Sequence, residues 1–213
     1  MKVSEEVDLI EGTRANVYVF RVGGSVVQVD AGFDKNAQQI VTYYENSGLV
    51  PSMVILTHSH VDHIRGLGTI YTIYRPLVYA HREEIPVITG HGRQYFKNPF
   101  MRVVLPFIRV PTVPLVNDVF GLALDGVKIV ETPGHTPGSI TVLLNTGHGR
   151  FAFVGDAAFE REGRLYVNER YSIDAQKSHE SLEKIKQMSP VIVLPGHGKP
   201  VKLRGAVIGP LFA

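Results

Sequence analysis

Met53-Val54-Ile55-Leu56-Thr57-His58-Ser59-His60-Val61-Asp62-His63 runs from an unbroken apolar segment straight into three histidines and an aspartate. The apolar part reads as a strand with no wet face. Residues 58–63 then put three imidazoles and a carboxylate within six positions, a density of donors suited to zinc and other divalent first-row ions. Six residues cannot comfortably wrap all four groups around one tetrahedral ion, so a division between two ions is expected.

The same grammar recurs along the chain. Apolar runs end in Val29-Asp30-Ala31-Gly32, in Thr132-Pro133-Gly134-His135, in Val154-Gly155-Asp156-Ala157 and in Leu194-Pro195-Gly196-His197. Each places a His or Asp at a strand end beside Gly or Pro, where a sheet positions side chains that loops then let converge.

Composition narrows the chemistry. The 213 residues contain no cysteine, which excludes disulfides, thiolate metal sites and cysteine nucleophiles. Hydrophobic residues make up 44% and charged residues 20%, with a net charge of +2. That is the profile of a globular protein without a basic patch, so a small-molecule substrate is expected rather than nucleic acid. No apolar run approaches the roughly 20 residues needed to span a bilayer, and the N-terminus lacks the apolar core of a signal peptide. No membrane association and a cytoplasmic location are the expectations, with one domain spanning 1–213.

Further strands are expected at 15–22 and 25–30, joined through Gly23-Gly24 as a hairpin, and at 77–80, 127–131, 140–145, 151–154 and 191–194. Helical patterns lie at 34–45, after His63, and at 175–188. Strands interleaved with helices predict a layered α/β architecture with mixed sheets. The segment 89–116 has four prolines and no clean period, and is read equally as a functional loop or as a helix with connecting turns. Tyr95, Phe96, Phe107, Arg109, Tyr166 and Tyr171 are the residues proposed to overhang the site. His81, His91, His148 and His179 are read as surface or supporting histidines.

The ordered set of motifs resembles the metallo-β-lactamase superfamily over nearly the whole chain. That resemblance implies an αββα sandwich, two mixed β-sheets flanked by helices, with a metal centre at one edge. It implies that His58, His60 and His135 hold one divalent ion, that Asp62, His63 and His197 hold a second, and that Asp156 bridges them. Asp30 would orient the ligands, and Asp62 would also act on the attacking water. Two Zn2+ ions are the first expectation, with Fe or Mn as alternatives. The implied activity is hydrolysis of a small ester, thioester or lactone by a hydroxide shared between the two ions.

Among the branches, the all-His/Asp pattern looks most like that of glyoxalase II. The residues from Gly198 to Ala213 are too few for that branch's helical C-terminal domain, and Arg65 stands where it usually has a glycine. The lactonase branch usually carries a tyrosine three residues beyond the bridging aspartate; here that residue is Phe159. Alternatives are a mononuclear iron enzyme like the persulfide dioxygenases of the same fold, or a metal-binding protein without catalysis.

Overall fold

The computed structural model describes residues 1–97 and 112–204. Phe107, Arg109 and half of the 89–116 segment lie outside them. A six-stranded sheet runs in the order β1 (Val7–Ile10), β2 (Val17–Val22), β3 (Ser25–Val29), β4 (Met53–Ile55), β5 (Leu77–Ala80) and β6 (Asn117–Asp118). Its first two pairings are antiparallel and the next three parallel. In the second sheet β13 (Val201–Leu203), β12 (Val191–Pro195), β9 (Gly149–Gly155), β8 (Ile140–Thr146) and β7 (Val127–Glu131) lie side by side. There only β9 and β12 are parallel. Both sheets are mixed. A separate hairpin joins β10 (Phe159–Arg161) to β11 (Arg164–Tyr166).

The two-residue period of the strands sorts the apolar side chains into three layers. Tyr18 and Phe20 of β2, with Val27 and Val29 of β3, meet Val142, Leu144, Phe151 and Phe153 of the other sheet. This is the middle of the sandwich, where Phe20 stacks on Phe153 with centroids 5.2 Å apart. The alternate residues Val17, Val19, Val54 and Leu56 face Ile40, Tyr44, Leu67 and Ile70 from the helices α1 (Gln38–Ser47) and α3 (Leu67–Tyr74). On the far side Ala152, Val154, Val191 and Val193 face Leu182 and Ile185 of the last helix, Ala175–Gln187. Each such fully buried aliphatic side chain contributes about 1.5–3 kcal/mol. The order helix, sheet, sheet, helix is the αββα sandwich that the motifs imply.

The first predicted helix starts later than its pattern suggests. Asp34 spends its carboxylate on the amides of Asn36 and Gln38, which holds residues 34–37 in a turn ahead of α1. Among the described residues no helix is long and apolar enough to cross a membrane.

Candidate metal centre

Every predicted ligand sits at the end of a strand or just past it, all along one edge of the sandwich. Thr57 and His58 follow β4, and Asp62 and His63 lie on the single turn α2 (Val61–Ile64). His135 lies in the β7–β8 loop, Asp156 directly follows β9, and His197 follows β12. Close approach of these loops depends on Gly196. A Cβ there would stand 2.5 Å from Asp156 Oδ1 and 2.6 Å from His63 Cε1, so only glycine lets the His197 loop lie against them.

Among the described residues three groups of donors form, each with its donor atoms within 4.8 Å of one another: His58, His60 and His135; Asp62, His63 and His197; and, spanning the two, His58, His63 and Asp156. Asp156 presents one oxygen to each side. Its Oδ2 is 3.3 Å from His135 Nε2, and its Oδ1 is 3.2 Å from His63 Nε2 and 3.7 Å from His197 Nε2. His197 Nε2 also lies 3.2 Å from Asp62 Oδ2. His58 and His63 are fully buried.

Three of the outward-facing nitrogens have partners, which fixes those tautomers. His63 Nδ1 donates to Asp30 Oδ2 at 2.7 Å, His58 Nδ1 to Thr57 Oγ1 at 3.1 Å, and His60 Nε2 to the Tyr95 carbonyl at 2.6 Å. His58 Nε2, His63 Nε2 and Asp156 Oδ1 are buried and complete no hydrogen bond. Buried polar atoms of this kind require a partner, and imidazole nitrogens with a shared carboxylate suit a divalent cation. The residues present fit such ions.

Electrostatics agree. Burial drives the imidazoles of His58 and His135 far below their usual range, His135 to about 3, so both stand as neutral lone-pair donors. Burial pulls His63 the same way, but the carboxylates of Asp156 and Asp30 outweigh it and hold that imidazole well above its usual value. The spot between these two carboxylates therefore demands positive charge. Burial would raise Asp62 and Asp156, yet His197 and His63 around the first, and His63 and His135 around the second, keep both below the ordinary carboxylate range.

A cavity of about 720 Å³ opens onto the centre, reaching His60, Asp62, His135, Asp156 and His197. Of the residues expected to overhang it, Phe96 and Tyr171 line it. Tyr95 instead contributes its backbone carbonyl to His60 and sends its hydroxyl to the Glu83 carbonyl. Tyr166 tilts against Phe159 from outside the lining. Phe159 stacks on His197, and Phe96 on His60 with an interplanar angle of 4°. Arg65 does not reach the cavity; its guanidinium lies over the Phe33 ring. His91, His148 and His179 are exposed, while His81 is buried against Glu131 and Phe120.

Arg14 and Glu84 are among the contributors that the sequence does not single out. Arg14 lines the cavity from the β1–β2 loop. Glu84 is fully buried: its Oε2 accepts the amide and the hydroxyl of Ser59, and its Oε1 accepts the Gly138 amide at 2.9 Å. It thereby latches the loop of His58 and His60 to the loop of His135. The only local signal for either residue is a charge in a turn.

Comparison with known proteins places this site in a lineage. The family model of the metallo-beta-lactamase superfamily matches residues 10–197. The probable metallo-hydrolase YflN of Bacillus subtilis is 28% identical over 217 residues, spanning 88% of this chain and 81% of the relative. The hydroxyacylglutathione hydrolase of Saccharophagus degradans is 27% identical over 135 residues, which span 63% of this chain and 43% of that enzyme. The crystal structure of TTHA1623 in a di-iron-bound form has a TM-score of 0.71 at 22% identity, covering 92% of this chain and 93% of that one, a likeness of fold. Since the family match runs through every residue gathered at the strand ends, from Asp30 to His197, the chain belongs to the metallo-beta-lactamase superfamily and is a metal-dependent hydrolase.

Proposed function

We propose that this hydrolase works with two divalent ions on a small ester, thioester or lactone. His58, His60 and His135 hold one ion, and Asp62, His63 and His197 the other. The observation that carries this reading is the placement of Asp156, with Oδ2 toward His135 and Oδ1 toward His63 and His197. One carboxylate facing two donor triads is what a bridging ligand requires. Zinc is the first choice of metal for imidazole and carboxylate donors. The similarity to TTHA1623, which binds two irons, supports iron as the alternative.

Bound in such a centre, divalent ions acidify water and polarise the scissile carbonyl. The chain does the rest. Asp62, kept ionised by its histidine neighbours, orients the attacking water and receives its proton. The water oxygen joins the acyl carbon, the bond to the oxygen or sulfur leaving atom breaks, and that atom takes the proton. Phe33, Phe96 and Phe159 line the cavity and keep bulk water from the acyl group. The similarity to a hydroxyacylglutathione hydrolase, over 63% of this chain, supports thioesters as a substrate class.

Metal content and turnover test this together. The wild type, His60→Ala and His197→Ala would be analysed for zinc, iron and manganese per chain, and assayed on a thioester and lactone panel. Two ions per wild-type chain, reduced in each variant, with turnover of a panel member, is the expected result. One iron per chain that survives His197→Ala would overturn the two-ion reading in favour of mononuclear iron chemistry.

A further inference from the structure

The cavity walls carry an asymmetry of charge. Besides its aromatic residues, the lining includes Arg14, Lys97 and Arg170, whereas among the described residues its only carboxylates are Asp62 and Asp156. Lys97 is engaged, donating to the Glu169 carbonyl at 2.9 Å across the rim. Arg14 and Arg170 differ. Among the described residues each has only a ring beside its guanidinium, Phe33 for Arg14 at 4.7 Å and Tyr171 for Arg170 at 5.9 Å. Planar guanidinium groups without carboxylate partners, on the wall of a reaction cavity, suit a bidentate anion.

Arg14 is also held in place. Its backbone is left-handed, with φ of 65°, a conformation that a non-glycine residue keeps only where the surroundings impose it. Those surroundings are specific. Phe33 N donates to the Thr13 carbonyl, Asn16 N to the Gly196 carbonyl at 2.7 Å, and Asn16 Nδ2 to the carbonyls of Pro195 and Gly198. The turn that presents Arg14 is thus fastened to the loop carrying His197. The Arg14 backbone and the metal centre thus keep a fixed relation, from which the exposed side chain reaches the cavity wall over the Phe33 ring.

We propose that Arg14 is a specificity residue that binds an anionic group of the substrate, with Arg170 as its partner on the rim. The inference deepens the hydrolase reading and rests on it for the word substrate. It narrows the class to acyl compounds with an apolar, ring-sized body and a carboxylate- or sulfonate-like group remote from the scissile bond. Orientation follows from the geometry: the anion at Arg14, the body along Phe33 and Phe96, the acyl carbon at the centre.

The test measures binding and turnover separately on zinc-loaded protein. Calorimetry compares 2-phenylethanesulfonate with the neutral methyl 2-phenylethyl sulfone. The wild type should prefer the sulfonate about tenfold, in keeping with a hydrogen-bonded charge. Arg14→Asn, which tolerates the left-handed backbone, should abolish the preference, and Arg14→Lys should restore part of it. Arg161→Ala, an exposed residue outside the cavity lining, should leave it intact. Equal binding of the two probes by the wild type, or a preference that survives Arg14→Asn, would overturn the proposal. Turnover of S-phenylacetyl 3-mercaptopropionate against its methyl ester separates the two readings. An Arg14-dependent sulfonate preference without turnover of either ester supports the anion site and removes the hydrolase reading for this substrate class; turnover without charge discrimination does the reverse.

Discussion

Asp30 joins the two halves of the centre: its Oδ2 accepts from His63 Nδ1 at 2.7 Å, while its Oδ1 accepts the Thr57 amide at 2.8 Å. Thr57 Oγ1 in turn donates to the same carboxylate and accepts from His58 Nδ1. One buried carboxylate, itself on a left-handed backbone with φ of 63°, therefore orients an imidazole of each donor triad.

Asp30→Asn is the first prediction. The amide retains the shape, but its NH2 would face the Nδ1–H of His63 and the negative charge beside that ring would be gone. Metal affinity should fall about 10- to 100-fold, read by competition with a chromophoric chelator. An unchanged affinity would show that Asp30 merely shapes the turn.

Glu84 supplies the second. Glu84→Ala would leave the buried amides of Ser59 and Gly138 without acceptors, each worth about 1–3 kcal/mol. Denaturant titration should show a loss of about 2–4 kcal/mol, with metal content of the folded fraction reduced because the loops of His60 and His135 are no longer latched. If the variant matched the wild type in both measurements, the latch would have no function.

Glu84 and Arg14 also mark the limit of what the sequence discloses. The centre was legible because each ligand follows an apolar run and borders Gly or Pro, a pattern local to a few residues. The sandwich was legible because strands such as Val17–Val22 bury both faces and so read as continuous apolar segments. Glu84 stands in Arg82-Glu83-Glu84-Ile85 like any surface charge, and its role comes from partners 25 and 54 residues away. Arg14 owes its place to a turn pinned by residues near position 196. The hairpin of Phe159–Arg161 with Arg164–Tyr166 is too short and polar to show a period. His81, read as a surface or supporting histidine, is buried, with Nε2 3.2 Å from Glu131 Oε1 of β7 in the other sheet.

Gly196→Ala is the third prediction. The added methyl would meet Asp156 and His63 head on, in a place where both are already held by neighbours. Overpacking of this kind costs about 1–3 kcal/mol, and here the strain falls on the Asp156 carboxylate. Turnover and metal content should drop more than thermal stability does. A variant with full metal content would mean that the His197 loop can withdraw without disturbing the centre.

The last concerns pH and lies away from the candidate metal centre. His148, at the tip of the β8–β9 hairpin, donates from Nδ1 to Glu6 just before β1, tying that hairpin of one sheet to the edge strand of the other. The hydrogen bond to Glu6 raises the His148 imidazole, and the same bond lowers the Glu6 carboxyl. A raised histidine contributes stability in full below its unfolded value and loses it as pH rises through the folded one. A lowered carboxylate contributes above its unfolded value and loses that as pH falls through the folded one. Both conditions hold between the ordinary values of 4.5 and 6.5, so the pair acts most strongly there. The melting temperature of the wild type should exceed that of His148→Ala by most near pH ~5.5 and converge with it toward pH ~9. Added salt should shrink the difference, because the His148 ring is exposed to solvent. A gap between the two proteins that stayed constant across this range would assign the effect of His148 to packing of the hairpin tip instead of to its charge.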